Sequence, residues 1–216
     1  MTHAILAAIK ANDEAAALSA LTQGKSVQRS DFAESPVLQG LYRGMGALAR
    51  KLVSAGYQLD LVEAAALGDV AAIGRALGRG EDIQAMSADG WTALHLAAFL
   101  GRAEAVDALL QAGARHDAVS KNSTQNHPLH AAIAGQTDMG VIASLLAAGA
   151  DVSFAGAAGY TPLMLAASRG NQALCDLLIA KGALLDARSA DGKSASMIAR
   201  ERGHEAVAQH LAAKGA

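Results

Sequence analysis

Two clusters of residues in the sequence have types and spacings that could do chemistry. The Gly-Lys-Ser at 192–194 matches the end of a phosphate-binding loop, but the glycine required five residues earlier is Ala187. His127 and His130 lie three residues apart, a spacing that on a helix could face one metal ion, and His116 is nearby. Zinc would need further ligands, and no cysteine or carboxylate pair has a suitable spacing. We therefore predict a turn at 192–194 and no metal site.

The single cysteine, Cys175, does not point to catalysis either. It lies in the run "NQALCDLLIAKG", where helical spacing puts it on the inward side of a helix, so we expect a buried and inert thiol. The sequence contains no His-Glu-x-x-His, nucleophile-elbow or dinucleotide fingerprint. We predict a protein without catalytic residues, metal or cofactor.

The composition narrows the classes of partner and compartment. A formal net charge of −2 without a basic stripe argues against a nucleic-acid binder held by phosphate contacts. No window offers ~20 uninterrupted apolar residues, so no membrane span is expected. The N-terminal stretch lacks a basic start and meets Asp13 and Glu14 too early for a signal peptide. Together with the lone cysteine, this favours the reducing cytoplasm.

The elements that must position these residues are found through two sets of glycines. One set follows each Leu-rich or Ala-rich run, the other precedes it, and the gap from the second set to the first is 12 residues in every case. The first set is Gly24, Gly56, Gly80, Gly113, Gly149, Gly182 and Gly215, and the second is Gly44, Gly68, Gly101, Gly170 and Gly203.

The runs between these glycines have apolar residues at helical spacing. Shorter runs such as "TALHLAAFLG" and "TPLMLAASRG" precede them, each with a threonine where a helix would begin. Each unit is therefore predicted as a helix, a tight turn, a second helix and a longer connection. Alanine supplies much of the hydrophobic content and aromatics only 3%, which favours closely packed helices. Paired leucines are expected to fill the layers between units: Leu109 and Leu110, Leu145 and Leu146, Leu177 and Leu178.

Three segments carry a family resemblance. They are 88–114, 127–151 and 159–183, in which several of the same marks recur in register: a Thr-Pro-Leu-His-like start, an alanine pair, a turn glycine, a Leu-Leu pair and a closing Gly-Ala. In these marks the chain resembles the ankyrin repeat family, and more particularly the alanine-rich ankyrin proteins common in bacteria. The resemblance is clear from about residue 60 to 216 and weaker, though in phase, before that.

The resemblance implies an all-α ankyrin-repeat solenoid with short β-hairpin or loop fingers between its units. We expect one domain over residues 1–216 with about seven stacked units. Asn12 would stand at the turn-glycine position of the first unit, while in the fifth unit His127 replaces the threonine and Gln136 the turn glycine. The units are 3–30, 35–58, 59–88, 90–122, 127–155, 159–188 and 192–216.

The connection between the second and third units is shorter than the others. Counting Leu59 at the threonine position, it runs three residues from Gly56, whereas Gly80 to Thr92 spans 12, so the stack would continue while one finger is missing. We expect the main binding face on the C-terminal side of this gap, with Tyr42 and Arg43 as a separate, weaker surface.

The resemblance also implies roles for particular residues. His95 and His130 stand where the family uses histidine to tie adjacent loops together, and Cys175 where it usually has Val or Ile. A partner protein would meet the concave side, and the chain would be a monomer. The residues expected to bind it are Asp89, Trp91, Phe99, Leu100, Asn126, Tyr160, Ser168, Arg169 and Lys193, together with Tyr42 and Arg43.

Two questions stay open on the sequence. Trp91 and Phe99 are either anchors for a partner or packing groups that stabilise the stack. The function is expected to be non-enzymatic protein binding. The alternatives are a regulatory or inhibitory subunit of a partner enzyme and, with less support, a small-molecule or metal-binding protein.

Overall fold

The computed structural model describes residues 2–21, 27–32, 34–135 and 138–215, so Gly24 and Gln136 lie outside the described residues. Over this part the chain forms fourteen α-helices and one 3₁₀ turn at Arg29–Asp31, with an isolated β-bridge between Met86 and Thr92 and no strand. The helices are α1 Thr2–Lys10, α2 Glu14–Leu21, α3 Pro36–Tyr42, α4 Gly46–Ser54, α5 Leu61–Leu67, α6 Val70–Gly78, α7 Ala93–Phe99, α8 Ala103–Gln111, α9 Pro128–Ala134, α10 Met139–Ala147, α11 Pro162–Ser168, α12 Gln172–Ala180, α13 Ala195–Glu201 and α14 Glu205–Ala213.

The chain divides into two compact units, Met1–Asp82 and Ile83–Ala216. The first contains α1 to α6 and the second α7 to α14, in each case as pairs of short helices. This confirms the predicted all-α architecture of paired helices. One domain over 1–216, and the number of repeats, stay predictions.

The glycine register is confirmed wherever the structure describes it. All eleven described glycines of the two sets have φ between 67° and 99°, the left-handed region that favours glycine at helix ends. Asn12, which was expected in place of a turn glycine, adopts φ 59°. Asparagine tolerates this conformation better than most residues.

Buried alanines and large apolar side chains from both helices of each pair form the core of the second unit. In α8 and α10 the fully buried residue is the first of each leucine pair, but in α12 it is the second. The prediction for α12 is thus wrong by one residue, because Leu178 and Ile179 stand where the other helices have their pairs. The fully buried members of the three leucine pairs are Leu109, Leu145 and Leu178.

The short connection in the first unit joins α4 to α5 through residues 55–60. Asp60, not Leu59, begins the helix: its Oδ1 accepts from the Glu63 N–H at 2.8 Å, and Glu63 Oε2 accepts from the Asp60 N–H at 3.1 Å. This reciprocal pair is a capping box. Gly56 therefore precedes the helix cap by four residues, and the connection is eight residues shorter than that from Gly80 to Thr92, not nine.

Candidate binding surface

The longer connections of the second unit are here called fingers, and three of them close in the same way. In the first finger the Ser87 N–H donates to the Trp91 carbonyl at 2.8 Å, and the Gly90 N–H donates to the Ser87 carbonyl at 2.9 Å. The turn at 189–193 repeats these bonds, with the Gly192 N–H donating to the Ser189 carbonyl at 2.8 Å. Ser194 then caps α13. The Gly-Lys-Ser sequence is thus a turn followed by a helix cap, as predicted.

Neighbouring fingers are hydrogen-bonded to one another through their backbones. The Lys121 N–H donates to the Gly90 carbonyl at 2.8 Å, and the Ala157 N–H to the Thr124 carbonyl at 2.9 Å. The Ala190 N–H donates to the Ala158 carbonyl, also at 2.9 Å. These bonds link the fingers of the second unit into a continuous row, which we call the finger row: residues 87–91, 120–126, 156–160 and 189–193.

His95 and His130 fix the bases of the fingers. His95 Nε2 lies 2.9 Å from the Asn126 carbonyl oxygen and its Nδ1 lies 2.8 Å from Thr92 Oγ1. His130 Nε2 lies 3.0 Å from the Phe154 carbonyl oxygen and 3.2 Å from that of Tyr160. Both side chains are buried, and burial lowers the pKa of each to about 4, so they are neutral at pH 7. The loop-tying role implied by the resemblance is confirmed.

His127 does not cap α9 as a threonine would. Its ring instead stacks on Phe154, with centroids 3.5 Å apart and planes 14° apart, and burial lowers its pKa. The ring of His130 is perpendicular to it, at a centroid distance of 6.2 Å. Within the described ranges, no three His, Cys, Asp or Glu side chains group closely enough to hold a metal ion.

Trp91 and Phe99 pack against each other at the first finger. Their rings meet edge to face at 5.0 Å, and Trp91 also lies 6.1 Å from the His95 ring. Both are half-buried, and in the described part of the chain Trp91 Nε1 is buried without a hydrogen-bond partner. This geometry favours packing over partner anchoring for these two aromatics.

Asn126 also makes its contacts within the finger row. Its carbonyl accepts from the Ser120 N–H at 2.9 Å in addition to meeting His95, and its side chain lies so close to Gly156 that a Cβ there would clash with Asn126 Oδ1. Asp89 and Tyr160 have more accessible side chains: Asp89 is exposed and Tyr160 is half-buried. Leu100 is half-buried at the end of α7.

The remaining predicted residues of the second unit lie toward its C-terminal end. Arg169 is exposed and donates through Nη2 to the Ala134 carbonyl at 2.7 Å, while the Ser168 hydroxyl donates to the Leu165 carbonyl at 2.8 Å. Lys193 Nζ lies 3.1 Å from Asp191 and 2.7 Å from Glu201. Hydrogen bonds to these carboxylates raise the pKa of Lys193.

Beside Arg169 lies a cavity of about 460 Å³ that is lined by Ser168, Arg169, Arg202 and His204. We call it the C-terminal cavity. The predicted binding residues include Ser168 and Arg169 but not Arg202 and His204. Arg202 stands just before the turn glycine Gly203, as Arg169 stands before Gly170.

Tyr42 and Arg43 lie at the end of α3 in the first unit. Tyr42 is 39% exposed, and Arg43 is exposed and donates through Nη1 to Gln39 Oε1 at 2.6 Å. The structure therefore places both at an accessible surface of that unit.

A polar cluster in the first unit was missed altogether. The Glu63 carboxylate is fully buried, and its Oε1 accepts from Ser35 Oγ at 2.5 Å and Tyr57 Oη at 2.7 Å. Arg29 Nε approaches it at 3.4 Å. Burial outweighs these bonds and raises the pKa of Glu63, while burial and then the nearby carboxylate raise that of Tyr57. The spacing Asp60-x-x-Glu63, a capping-box pattern, was the available signal.

Two further predictions concern Cys175 and membranes. Cys175 is fully buried on α12, at the position equivalent to Val106 and Ile142, and burial raises the pKa of its thiol to about 12, so it is an inert core residue. Among the described helices, none has the length and apolar character needed to cross a membrane.

Comparison with known proteins agrees with this geometry. The family model described as "Ankyrin repeats (3 copies)" matches residues 61–153 and 136–216. A comparison with curated proteins finds no match to the chain. The family model covers most of the chain and includes the whole second unit, with its paired helices, positive-φ turn glycines and hydrogen-bonded fingers. The chain therefore belongs to the ankyrin repeat family.

Proposed function

We propose that this chain is a non-enzymatic module whose partner protein binds the second unit along the finger row and the ends of its first helices. Ankyrin repeats generally act as protein–protein interaction modules, and the family is typically non-enzymatic. The finger row is the observation that carries the proposal. Its three inter-finger hydrogen bonds hold the tips in place before any partner arrives.

A surface that is ordered in advance has a physical advantage in binding. Association costs about 0.5–1.5 kcal/mol for each flexible side chain that must be ordered, and loops that must be ordered add to this. In the second unit the backbone of the tips is already fixed by Lys121, Ala157 and Ala190. The binding energy is then available for contacts with the partner rather than for ordering the loops.

The accessible residues of this surface are Asp89, Tyr160 and Arg169, and we assign the direct contacts mainly to them. Trp91 and Phe99 support the first finger, and Asn126 links the second finger to its neighbours. Lys193 contributes to this surface through its ion pairs with Asp191 and Glu201. Tyr42 and Arg43 form a second, minor candidate surface.

Site-specific photocrosslinking in an extract of the native host tests the proposal. A photoreactive phenylalanine analogue at Tyr160 is expected to form an adduct with one partner protein, because this residue belongs to the finger row. The matched control carries the analogue at Asp107, which is exposed on α8. The same adducts from both positions, or none from position 160, would contradict the proposal. Adding the chain to a captured enzyme and measuring activity separates an inhibitory subunit from a passive binder.

We further propose that the chain works as a monomer in the cytoplasm. The single cysteine, Cys175, is buried with a raised pKa and needs no oxidising compartment. Light scattering of the purified chain tests whether it is a monomer. Fractionation of the native host tests whether it is cytoplasmic. A dimer mass, or recovery only in an extracytoplasmic fraction, would contradict them.

A further inference from the structure

The C-terminal cavity is a cationic concave site of the second unit. Its volume, about 460 Å³, lies within the range of about 300–1,000 Å³ that is typical of ligand pockets. Two of its four lining side chains, Arg169 and Arg202, carry permanent positive charge. Both arginines are exposed, so a ligand can reach them.

The acidic side chains next to this cavity are paired with other cations. Glu201 lies 2.7 Å from Lys193, and Glu205 lies 3.4 Å from Arg200. Across the described ranges, neither Arg169 nor Arg202 has an ion-pair partner within the chain. The positive charge of the cavity is therefore not neutralised by the protein itself.

The cavity is also partly fixed in shape. The bond from Arg169 Nη2 to the Ala134 carbonyl holds one N–H of the guanidinium, and a guanidinium has five. The His204 ring also lines the cavity and lies so close to Gly170 that a Cβ there would be 2.5 Å from Nδ1. Gly170 also has φ 67°, so two separate requirements keep this residue small. Ser168 uses its hydroxyl hydrogen on Leu165, so we give it no role toward an anion.

We propose that the C-terminal cavity receives an acidic segment of the partner protein, whose carboxylate side chains bind the guanidinium groups of Arg169 and Arg202. The proposal rests on the function proposed above, since it names the chemistry of the partner that meets the same surface. A guanidinium can bind a carboxylate through two parallel N–H bonds, which gives direction as well as attraction. An arginine held in advance loses less freedom on binding.

Direct binding of a defined probe tests this inference. The probe is a short fluorescein-labelled peptide of alternating Glu and Ser, followed by fluorescence anisotropy with the full chain, and the control peptide has Gln in place of each Glu. We expect the acidic peptide to bind and the control peptide to bind at least tenfold more weakly. The affinity for the acidic peptide should fall as salt is added, because exposed charges are screened over about 8–10 Å near physiological ionic strength.

Matched variants locate the site. The double variant Arg169→Gln/Arg202→Gln should weaken binding of the acidic peptide by about tenfold or more, whereas Lys51→Gln/Lys181→Gln, which removes the same charge from exposed positions outside the cavity, should change it less than about twofold. A third variant, Arg169→Lys/Arg202→Lys, keeps the charge but loses the planar donor pair and should give an intermediate affinity. Thermal melts check that all variants are folded.

Three outcomes would overturn the inference. They are an equal loss in both Gln variants, equal binding of the Glu and Gln peptides, and equal affinity for a short single-stranded DNA, which would mean a general attraction for polyanions. Failure here is distinguishable from failure of the proposed function. If photocrosslinking at position 160 captures a partner whose affinity is unchanged in Arg169→Gln/Arg202→Gln, only the acidic-segment inference is wrong.

Discussion

The two units place different chemistry at the same position of a helix. The third residue of the helix after the N-cap is Glu63 in α5 of the first unit, and it is His95 in α7 and His130 in α9 of the second. All three side chains are buried and hydrogen-bonded. The glutamate accepts bonds from the hydroxyls of Ser35 and Tyr57, whereas the histidines meet backbone carbonyls of the following finger.

The difference follows from the groups that meet each of these helices. The short connection at residues 55–60 brings the Tyr57 hydroxyl to the start of α5, so an acceptor is needed there. In the second unit each longer connection supplies backbone carbonyls, so a donor is needed. The third residue of the helix thus hydrogen-bonds to neighbouring side chains in the first unit and to the backbone of a finger in the second.

The largest expected effect is the response of the second unit to acid. The pKa of His95 and His130 is about 4 in the folded chain, against an ordinary value of 6.5, so between these pH values only the unfolded chain binds the protons. Stability should therefore fall as the pH drops from about 6.5 to about 4, by about 3 kcal/mol for each histidine. Urea unfolding followed by the fluorescence of Trp91, the one tryptophan, measures this in the second unit.

The matched control for that titration is His95→Gln, which should be less stable at pH 7 and lose less stability with acid. The first unit should respond in the opposite sense at Glu63. The pKa of this group is raised, so its contribution is fully present below its ordinary pKa and is lost as the pH rises through the raised value. A free energy of unfolding from Trp91 that does not change between pH 6.5 and 4.5 would contradict the comparison.

Removal of the buried carboxylate is the next largest effect. Glu63→Ala leaves the buried hydroxyls of Ser35 and Tyr57 without their acceptor, and we expect a loss of about 2–4 kcal/mol of stability. Glu63→Gln keeps an acceptor of the same size and should cost less than half as much. Hydrogen exchange of the amides of α3 and α5 measures the loss in the first unit. Equal effects of the two variants would argue against a hydrogen-bonding role.

Trp91→Ala should destabilise the second unit by about 2–3 kcal/mol, because Trp91 is half-buried and packs on Phe99 and His95. Tyr42→Ala in the first unit is the matched control, with an expected loss of about 0.5 kcal/mol, since Tyr42 is 39% exposed. Denaturant titration followed by circular dichroism compares the two. An unchanged midpoint for Trp91→Ala would restore its interpretation as a partner anchor.

The smallest expected effect is that of one hydroxyl. Tyr57→Phe keeps the buried ring, which contacts Phe32 edge to face at 6.1 Å, and removes one of the donors to Glu63. We expect a loss of about 1–2 kcal/mol. Tyr160→Phe, on a half-buried tyrosine of the finger row, should cost less than about 0.5 kcal/mol. A loss for Tyr57→Phe no greater than that for Tyr160→Phe would contradict the role of this hydroxyl.

Sequence was sufficient for features that local chain geometry determines. Turn glycines such as Gly101 and Gly170, and Asn12 in the same role, could be predicted because a helix end requires a positive φ within a few residues. The roles of His95 and His130 followed from the family resemblance. The paired helices followed from spacing alone.

The features that the sequence did not predict depend on contacts between residues that are distant in the sequence. Ser35 and Glu63 lie 28 positions apart, and no repeat links them. The start of α5 was misplaced by one residue, because Leu59 was assigned to the threonine position although Asp60 is the better helix cap. In the binding surface, the repeat pattern does not distinguish exposed Arg169 from half-buried Trp91. The pattern gives the position of each residue but not the side chains that pack against it.

The most direct test of the proposed division between the two units is hydrogen exchange of the full chain with and without its captured partner. The account predicts protection of the finger row, at 87–91, 120–126, 156–160 and 189–193, and of the end of α11 at Ser168 and Arg169. Exchange in residues 2–56 should be unchanged. Protection confined to residues 2–56 would contradict the account.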